Sequence, residues 1–367
     1  MTLQKLRFVP SLEQIERDAI ELSTKAIKDK LFPGCVIGIM TPDGKFISSA
    51  GSHTYDANAV NVTEDSMFDI SSLTKAVVSS TCLHLIDRGM LSLETKVQDI
   101  LPEFEGQYAD EVDIKHLLTF TVELAIDEPL WHLQSGEAIL DRIMTAGLKH
   151  PPGQGHFYHN STSIILGKIL EEVTGFRLDF LLKKFIFSRL GMHDTTFCPR
   201  KNYSMDKIVP TENDTTWRMR LLHGEVHDEI SSCFSDHPIA AAGLFSTVPD
   251  LMKFASFICN NKWPDDGSMF LPERSYNEMV KNHLASIGRR YGLGWDKCDD
   301  NYICPCFSSQ TIVLTGFSGC SMHLNPMHRI AVVILSNAVH PKRHPGSMFD
   351  FRRTINQRVF YCKHCMD

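Results

Sequence analysis

The chain has 367 residues, of which 43% are hydrophobic and 22% charged. That is enough apolar material for one large core or two interlocked ones. The net charge of −7 repels phosphate backbones, so nucleic acid is excluded as an expected partner. No apolar run approaches the roughly 18 residues that span a bilayer, and the opening MTLQKLRFVPSLEQIERD has no apolar signal core. A cytoplasmic protein is therefore expected. The eleven cysteines are odd in number and scattered, unlike a secreted disulfide framework. Most of them read as reduced, buried thiols. Cys304/Cys306 and Cys362/Cys365 are the only pairs whose spacing invites metal, and the second stands at the chain terminus. No metal site is expected from them.

Ser11-Leu-Glu-Gln14 has the form of a capping box. Leu12, Ile15, Ala19, Leu22 and Ala26 follow at helical spacing, which predicts a helix to about Lys30, stopped by Pro33-Gly34. Cys35 to Met40 and Lys45 to Ala50 flank the turn signal Pro42-Asp43-Gly44 and read as a β-hairpin. A helix is expected from Ser72 to about Arg88, closed by Gly89. Helical patterns and loops then dominate to about Lys281, with helices at Ser161–Glu172, Asp179–Arg189 and Pro249–Cys259. Short β-like runs return at Thr311–Leu314, Cys320–Leu324 and Ile330–Leu335, and Phe349–Phe360 is a final helix. Strands at both ends of the chain can join in one antiparallel sheet. It would carry terminal helices on one face and an inserted helical lobe on the other. The expected division is residues 1–90 with 285–367 as the α/β sheet domain, and 91–284 as the mainly helical insertion.

Three short motifs carry chemistry. Ser72-Leu-Thr-Lys75 stands at a helix start, where residues three apart share a face. The Lys75 ammonium can then reach the Ser72 hydroxyl, which is a poor nucleophile until a base takes its proton. The helix N-terminus favours the negative charge that develops. Tyr158-His-Asn160 follows the turn Pro151-Pro-Gly153. A phenol beside an ammonium can take the serine proton and return it to a leaving group, and Asn160 can orient Lys75 or donate to a substrate carbonyl. Leu314-Thr315-Gly316-Phe317 ends a β-like run. Gly316 allows close approach, and a backbone N–H there can complete an oxyanion hole. Taken singly, each motif also fits a plain surface helix, a buried tyrosine or a strand followed by a turn.

Together and in this order, the motifs resemble the S-x-x-K, Y-x-N and [KH]-[TS]-G set of penicillin-binding proteins and class C β-lactamases. Phe68 to Lys75, Ile114 to Thr119, Pro152 to Asn160, Leu166-Gly167, Gly224 to Asp228, Ala242 to Thr247, Ile334 to Asn337 and Val339 to Pro341 are similar to further family segments. The resemblance runs from about Pro33 to about Arg353. It implies an antiparallel sheet domain plus a helical domain, with the site between them and an acyl-enzyme mechanism. It implies Ser72 as nucleophile, Lys75 and Tyr158 as base and proton shuttle, and Asn160, Leu314, Thr315 and Gly316 as substrate-side support. The Ser72 and Phe317 N–H groups would form the oxyanion hole, with no cofactor.

Two departures stand out. Leu314 replaces the family's Lys or His, which removes a carboxylate contact of roughly 1.5–3 kcal/mol, or about ten- to a hundredfold in recognition. Arg289, Arg290 or His323 are the cations expected near enough to compensate. Phe120-Thr-Val-Glu-Leu124 stands where the family tends to have His-Thr-Ser-Gly-Leu, and is expected to reshape one wall of the cleft. The expected function is an esterase- or amidase-like serine hydrolase acting on a small ester, amide or peptide-like molecule. The alternatives are a D-alanyl-D-alanine carboxypeptidase or β-lactamase, or a non-catalytic binding protein of the same fold. His227-Asp228 tempts a Ser-His-Asp reading, but Lys75 and Tyr158 already supply proton handling, so a structured loop beside the cleft is expected there.

Overall fold

The computed structural model describes residues 10–234, 236–297, 310–343 and 348–360. The pairs Cys304/Cys306 and Cys362/Cys365 lie outside the described residues. Helix α1 (Leu12–Lys28) is capped by the Ser11 hydroxyl, which accepts from the Gln14 N–H at 3.2 Å. Strands β1 (Gly34–Thr41) and β2 (Gly44–Gly51) form the expected hairpin, in register from Gly34 opposite Gly51 to Thr41 opposite Gly44. Helix α2 (Leu73–Asp87) follows, then the long helical stretch. Within that stretch α3 (Asn160–Thr174) ends at Gly175 in the left-handed region, φ 68°. The helical run Leu178–Leu190 contains a π turn at Lys183–Phe187. Helix α4 (Val248–Asn260) precedes β3 (Ile312–Thr315), β4 (Ser321–Asn325) and β5 (Ile330–Ser336), and α5 (Phe349–Phe360) closes the chain.

The sheet is antiparallel throughout, in the order β2-β1-β5-β4-β3. The N-terminal hairpin joins the C-terminal strands through β1 and β5, from Cys35 opposite Ser336 to Met40 opposite Ala331. Alternation along each strand sorts side chains between two cores. Ile37, Ile39, Val332 and Ile334 pack with Ile15 and Ala19 of α1 and Ile355 and Val359 of α5. Val36, Val333, Leu335 and Leu324 face the other way, onto Leu251, Phe254 and Ala255 of α4 and Leu73 and Val77 of α2. Each such side chain removes roughly 1.5–3 kcal/mol of unfavourable exposure. Helix α4 falls within the segment expected to be the insertion, yet it lies on the sheet, and one hydrophobic cluster runs unbroken from sheet to helical lobe.

Helix α2 is buried without a break from Leu73 to Leu85. A helix covered on all sides belongs in an interior, and this one runs between the sheet and the helical lobe. Ser72 stands at its N-terminus.

Candidate active site

The turn before α2 sets the position of Ser72. The Ile70 N–H is held by the Leu244 carbonyl at 3.0 Å. Ser71 takes φ 48°, unusual for a side-chain-bearing residue, and its N–H donates to Asp69 Oδ1 at 2.8 Å. Burial keeps the Asp69 carboxyl above its ordinary range, opposed by the N–H of His227, which donates to Asp69 Oδ2 at 2.8 Å. This brace steadies the left-handed turn.

One turn along the helix, Lys75 is 2% exposed. Its Nζ donates to Ser72 Oγ at 3.2 Å, Asn160 Oδ1 at 2.9 Å and the Ala241 carbonyl at 2.6 Å. An ammonium has three hydrogens, and three acceptors surround it. Asn160, at the start of α3, donates through Nδ2 to Asp228 Oδ2 at 2.8 Å. Asp228 also caps the short helix Glu229–Ser232, accepting from the Ser231 N–H at 2.8 Å.

Tyr158 lies on the loop before α3. That loop is tied down by the Gly153 N–H on the Thr121 carbonyl at 3.0 Å and the Phe157 N–H on the Phe120 carbonyl at 2.7 Å. The Tyr158 ring is 42% exposed, with Lys75 Nζ 5.2 Å from its centroid. Phe120 packs against Tyr158 at 4.8 Å between centroids and against Tyr291 at 5.4 Å. The departure at Phe120 thus shapes the wall that carries the phenol.

Strand β3 supplies the opposite wall. Ser72, Tyr158, Leu314, Thr315, Gly316 and Phe317 line one cleft of about 500 Å³. The strand end is fastened to the nucleophile turn through Ser318: Ser71 Oγ lies 3.0 Å from Ser318 Oγ, which donates to the Asp69 carbonyl at 2.7 Å. Gly316 is required for this approach, since a Cβ there would lie 2.6 Å from the Ile70 carbonyl oxygen. Among the described residues, neither the Ser72 nor the Phe317 N–H has an intramolecular acceptor. The Phe317 ring, 63% exposed, is flanked by His227 at 5.7 Å and by the Arg343 guanidinium at 5.3 Å.

The structure brings all the sequence-predicted site residues to one cleft or its immediate support. It corrects the expected compensating cations. His323 is fully buried, on the α1 and α5 face of the sheet, and Arg289 and Arg290 are exposed and do not line the cleft. The cations that do are Arg343 and Arg352. Arg343 is paired with Glu212 at 2.9 Å and with Glu229, and Arg352 donates to the Cys320 carbonyl at 2.9 Å. The Ser-His-Asp reading is not built: His227 Nε2 meets Glu212 Oε2 at 2.9 Å, while Asp228 serves Asn160. Sequence reasoning missed Asp228, Ser318 and the Ala241 carbonyl as parts of the site. The signals nearest to them were the segments Gly224–Asp228 and Ala242–Thr247.

The chain belongs to the β-lactamase family, since the family model described as "Beta-lactamase" matches residues 18–356. It is a serine hydrolase of that family. A curated relative from Salmonella heidelberg (strain SL476), described as "Putative D-alanyl-D-alanine carboxypeptidase", is 25% identical over 331 residues, covering 79% of this chain and 74% of that one. Among solved structures, the hydrolase EstCE1, described as having promiscuous acyltransferase activity, is 19% identical with a TM-score of 0.74, covering 94% of this chain and 98% of its own. A penicillin-binding protein homologue from Caulobacter crescentus is 16% identical with a TM-score of 0.76, covering 96% and 98%. These two share the fold. No helix among the described residues is long and apolar enough to cross a membrane.

Proposed function

We propose that the chain hydrolyses small neutral esters or amides through an acyl group on Ser72. The observation that carries this reading is the hydrogen-bonded set Ser72–Lys75–Asn160 facing Leu314 across the cleft. Lys75, with three acceptors around it, acts as a fixed positive charge that steadies the emerging alkoxide. The proton of Ser72 passes to the Tyr158 oxygen, beside Lys75, as the phenol's own proton moves on to the leaving group, so one proton is lost from serine and one gained by the leaving group. The N–H groups of Ser72 and Phe317 receive the tetrahedral oxyanion. Water attacks the acyl-enzyme by the same route in reverse.

The uncharged wall at Leu314, Tyr291 and His156 supports a neutral substrate. Leu314 offers no cation, and burial keeps the Tyr291 phenol well above its ordinary pKa and the His156 imidazole below its own. A second reading, a carboxypeptidase or β-lactamase acting on carboxylate-bearing substrates, is favoured by Arg343 and Arg352 in the cleft lining. Both are already engaged by carboxylates or carbonyls, which supports the first reading over the second. The free thiols of Cys35, Cys82, Cys198, Cys233, Cys259 and Cys320 suit a reducing compartment, consistent with a cytoplasmic location.

Intact-mass spectrometry after a fluorophosphonate should show one adduct, lost in Ser72→Ala. The kcat/KM for a p-nitrophenyl butyrate should exceed that for a chromogenic cephalosporin. Labelling elsewhere would remove Ser72 from the mechanism, and preference for the cephalosporin would promote the second reading.

A further inference from the structure

A cavity of about 810 Å³ lies apart from the cleft and shares no lining residue with it. One wall is a single stripe of α4, Pro249, Met252, Ser256 and Asn260, spaced three and four apart, with Phe257 beside it. From Pro249 to Asn260 that stripe runs roughly 16 Å. The facing wall is β2, the edge strand of the sheet, through Lys45 and Ile47. Met40 and Trp263 complete the trough, and Met252, Phe257 and Trp263 are buried. Its volume is within the usual range for a small-molecule site.

The trough carries Lys45, Lys262 and Arg329 towards one end, and Glu64 and Lys253 elsewhere in its lining. Met40 pairs with both Lys45 and Ala331, so Lys45 stands level with the start of β5, just after Arg329. The last turn of α4 meets the same point, where Cys259 Sγ lies 3.6 Å from the Ile330 carbonyl, and Lys262 follows that turn. Lys45, Arg329 and Lys262 are all exposed, and none forms an ion pair among the described residues. Lys253 is different: it is held by Asp250 at 2.9 Å and by the Gly191 carbonyl. The lining carboxylate, Glu64, follows Val62, which sits against Gly34 at the far end of β1. Three unpaired cations thus gather at one end of an apolar trough on a chain of net charge −7.

We propose that this trough binds a long-chain acyl carboxylate, with its head at Lys45, Lys262 and Arg329 and its chain along α4 towards Leu190. Charge complementarity selects the head, and the length of the α4 stripe selects a linear chain. This site is independent of the chemistry at Ser72.

Calorimetry with dodecanoate below its micellar concentration tests it on the full chain. One saturable site is expected. Lys262→Glu with Arg329→Glu should weaken binding by about tenfold or more, and Met252→Trp should abolish it by filling the trough. The charge-reversed variant, altered only at exposed residues, should keep the wild-type thermal melt, whereas Met252→Trp should lower it by overpacking a buried site while leaving the chain folded. Tyr158→Ala, which alters the cleft, should bind as wild type does, and dodecyltrimethylammonium should not bind. Absence of dodecanoate binding, equal binding by the charge-reversed variant, or loss in Tyr158→Ala would each overturn the proposal.

Discussion

Asn160 Nδ2 donates to Asp228 Oδ2 at 2.8 Å, and that bond decides which end of the amide faces Lys75. With its NH₂ committed to a carboxylate, Asn160 can offer only its oxygen to the ammonium. Asp228→Ala should lower kcat by about tenfold through loss of this orientation, with little change in KM. It should also lower the melting temperature, because the cap on Ser231 disappears. Asp228→Asn should be no better than alanine in kcat. Its amide would either repel the Asn160 NH₂ or turn the Asn160 oxygen away from Lys75. Wild-type kcat in Asp228→Asn would show that the orientation does not matter.

Lys75 and Tyr158 should behave as one unit. Lys75→Ala and Tyr158→Phe are each expected to reduce kcat by at least about 10²-fold. The double variant should fall far short of the product of the two effects. Lys75→Arg should not rescue, since the ammonium is 2% exposed among three acceptors and a planar guanidinium cannot repeat that geometry. Steady-state turnover of a p-nitrophenyl ester measures all of these. Near wild-type turnover in Tyr158→Phe would take the phenol out of proton transfer.

Much of this was legible in the sequence because local rules and global fold agree along most of the chain. The apolar runs of β1 and β5, the hairpin turn before β2 and the Ser11 cap each read directly from residue spacing. The three motifs pointed to Ser72, Lys75, Tyr158 and Gly316, which the fold gathers at one cleft. Asp228 and Ser318 were not legible as site residues, because their roles depend on contacts 68 and 247 residues away in sequence. The cations were misjudged for a related reason. His323 lies close to Leu314 in sequence, but strand alternation turns it to the opposite face of the sheet.

Gly316 places a strand end against the nucleophile turn, so Gly316→Ala should separate the two halves of the oxyanion hole. The added Cβ would lie 2.6 Å from the Ile70 carbonyl oxygen, and backbone on both sides has to move. A fall of about 10²–10³ in kcat is expected, as for the loss of one oxyanion donor. Substrate KM should change far less. An alanine variant that labels and turns over normally would mean that the Phe317 N–H does not serve the oxyanion.

Leu314→Lys should shift preference towards carboxylate-bearing substrates. Leu314 is 3% exposed, so the new ammonium must reach into the cleft to stay solvated. The ratio of kcat/KM for a chromogenic cephalosporin to that for a butyrate ester should rise by about tenfold or more, the worth of one charge-assisted contact. An unchanged ratio in a folded variant would show that residue 314 does not set substrate charge.

Stability should decline with acidity before any ordinary carboxylate titrates. Burial, aided by Arg352, lowers His323 to a pKa of about 3. Burial likewise lowers His53 and His84 to about 4. Each is neutral when folded and regains a value near 6.5 when unfolded. Between these values the unfolded chain binds more protons, so stability is fully present above pH 6.5 and is lost as pH falls towards the folded values. The fully buried His323 contributes a slope of up to about 1.4 kcal/mol per pH unit, and the less enclosed His53 and His84 contribute less. Asp69 acts in the opposite sense, because its folded carboxyl is raised by burial and binds its proton more tightly in the native state. Urea unfolding followed from pH 7.5 to 4.5 should therefore show net proton uptake. His323→Gln should remove about one proton from that uptake. A pH-independent midpoint across this window, or a slope unchanged in His323→Gln, would mean that the buried imidazole is charged in the native protein.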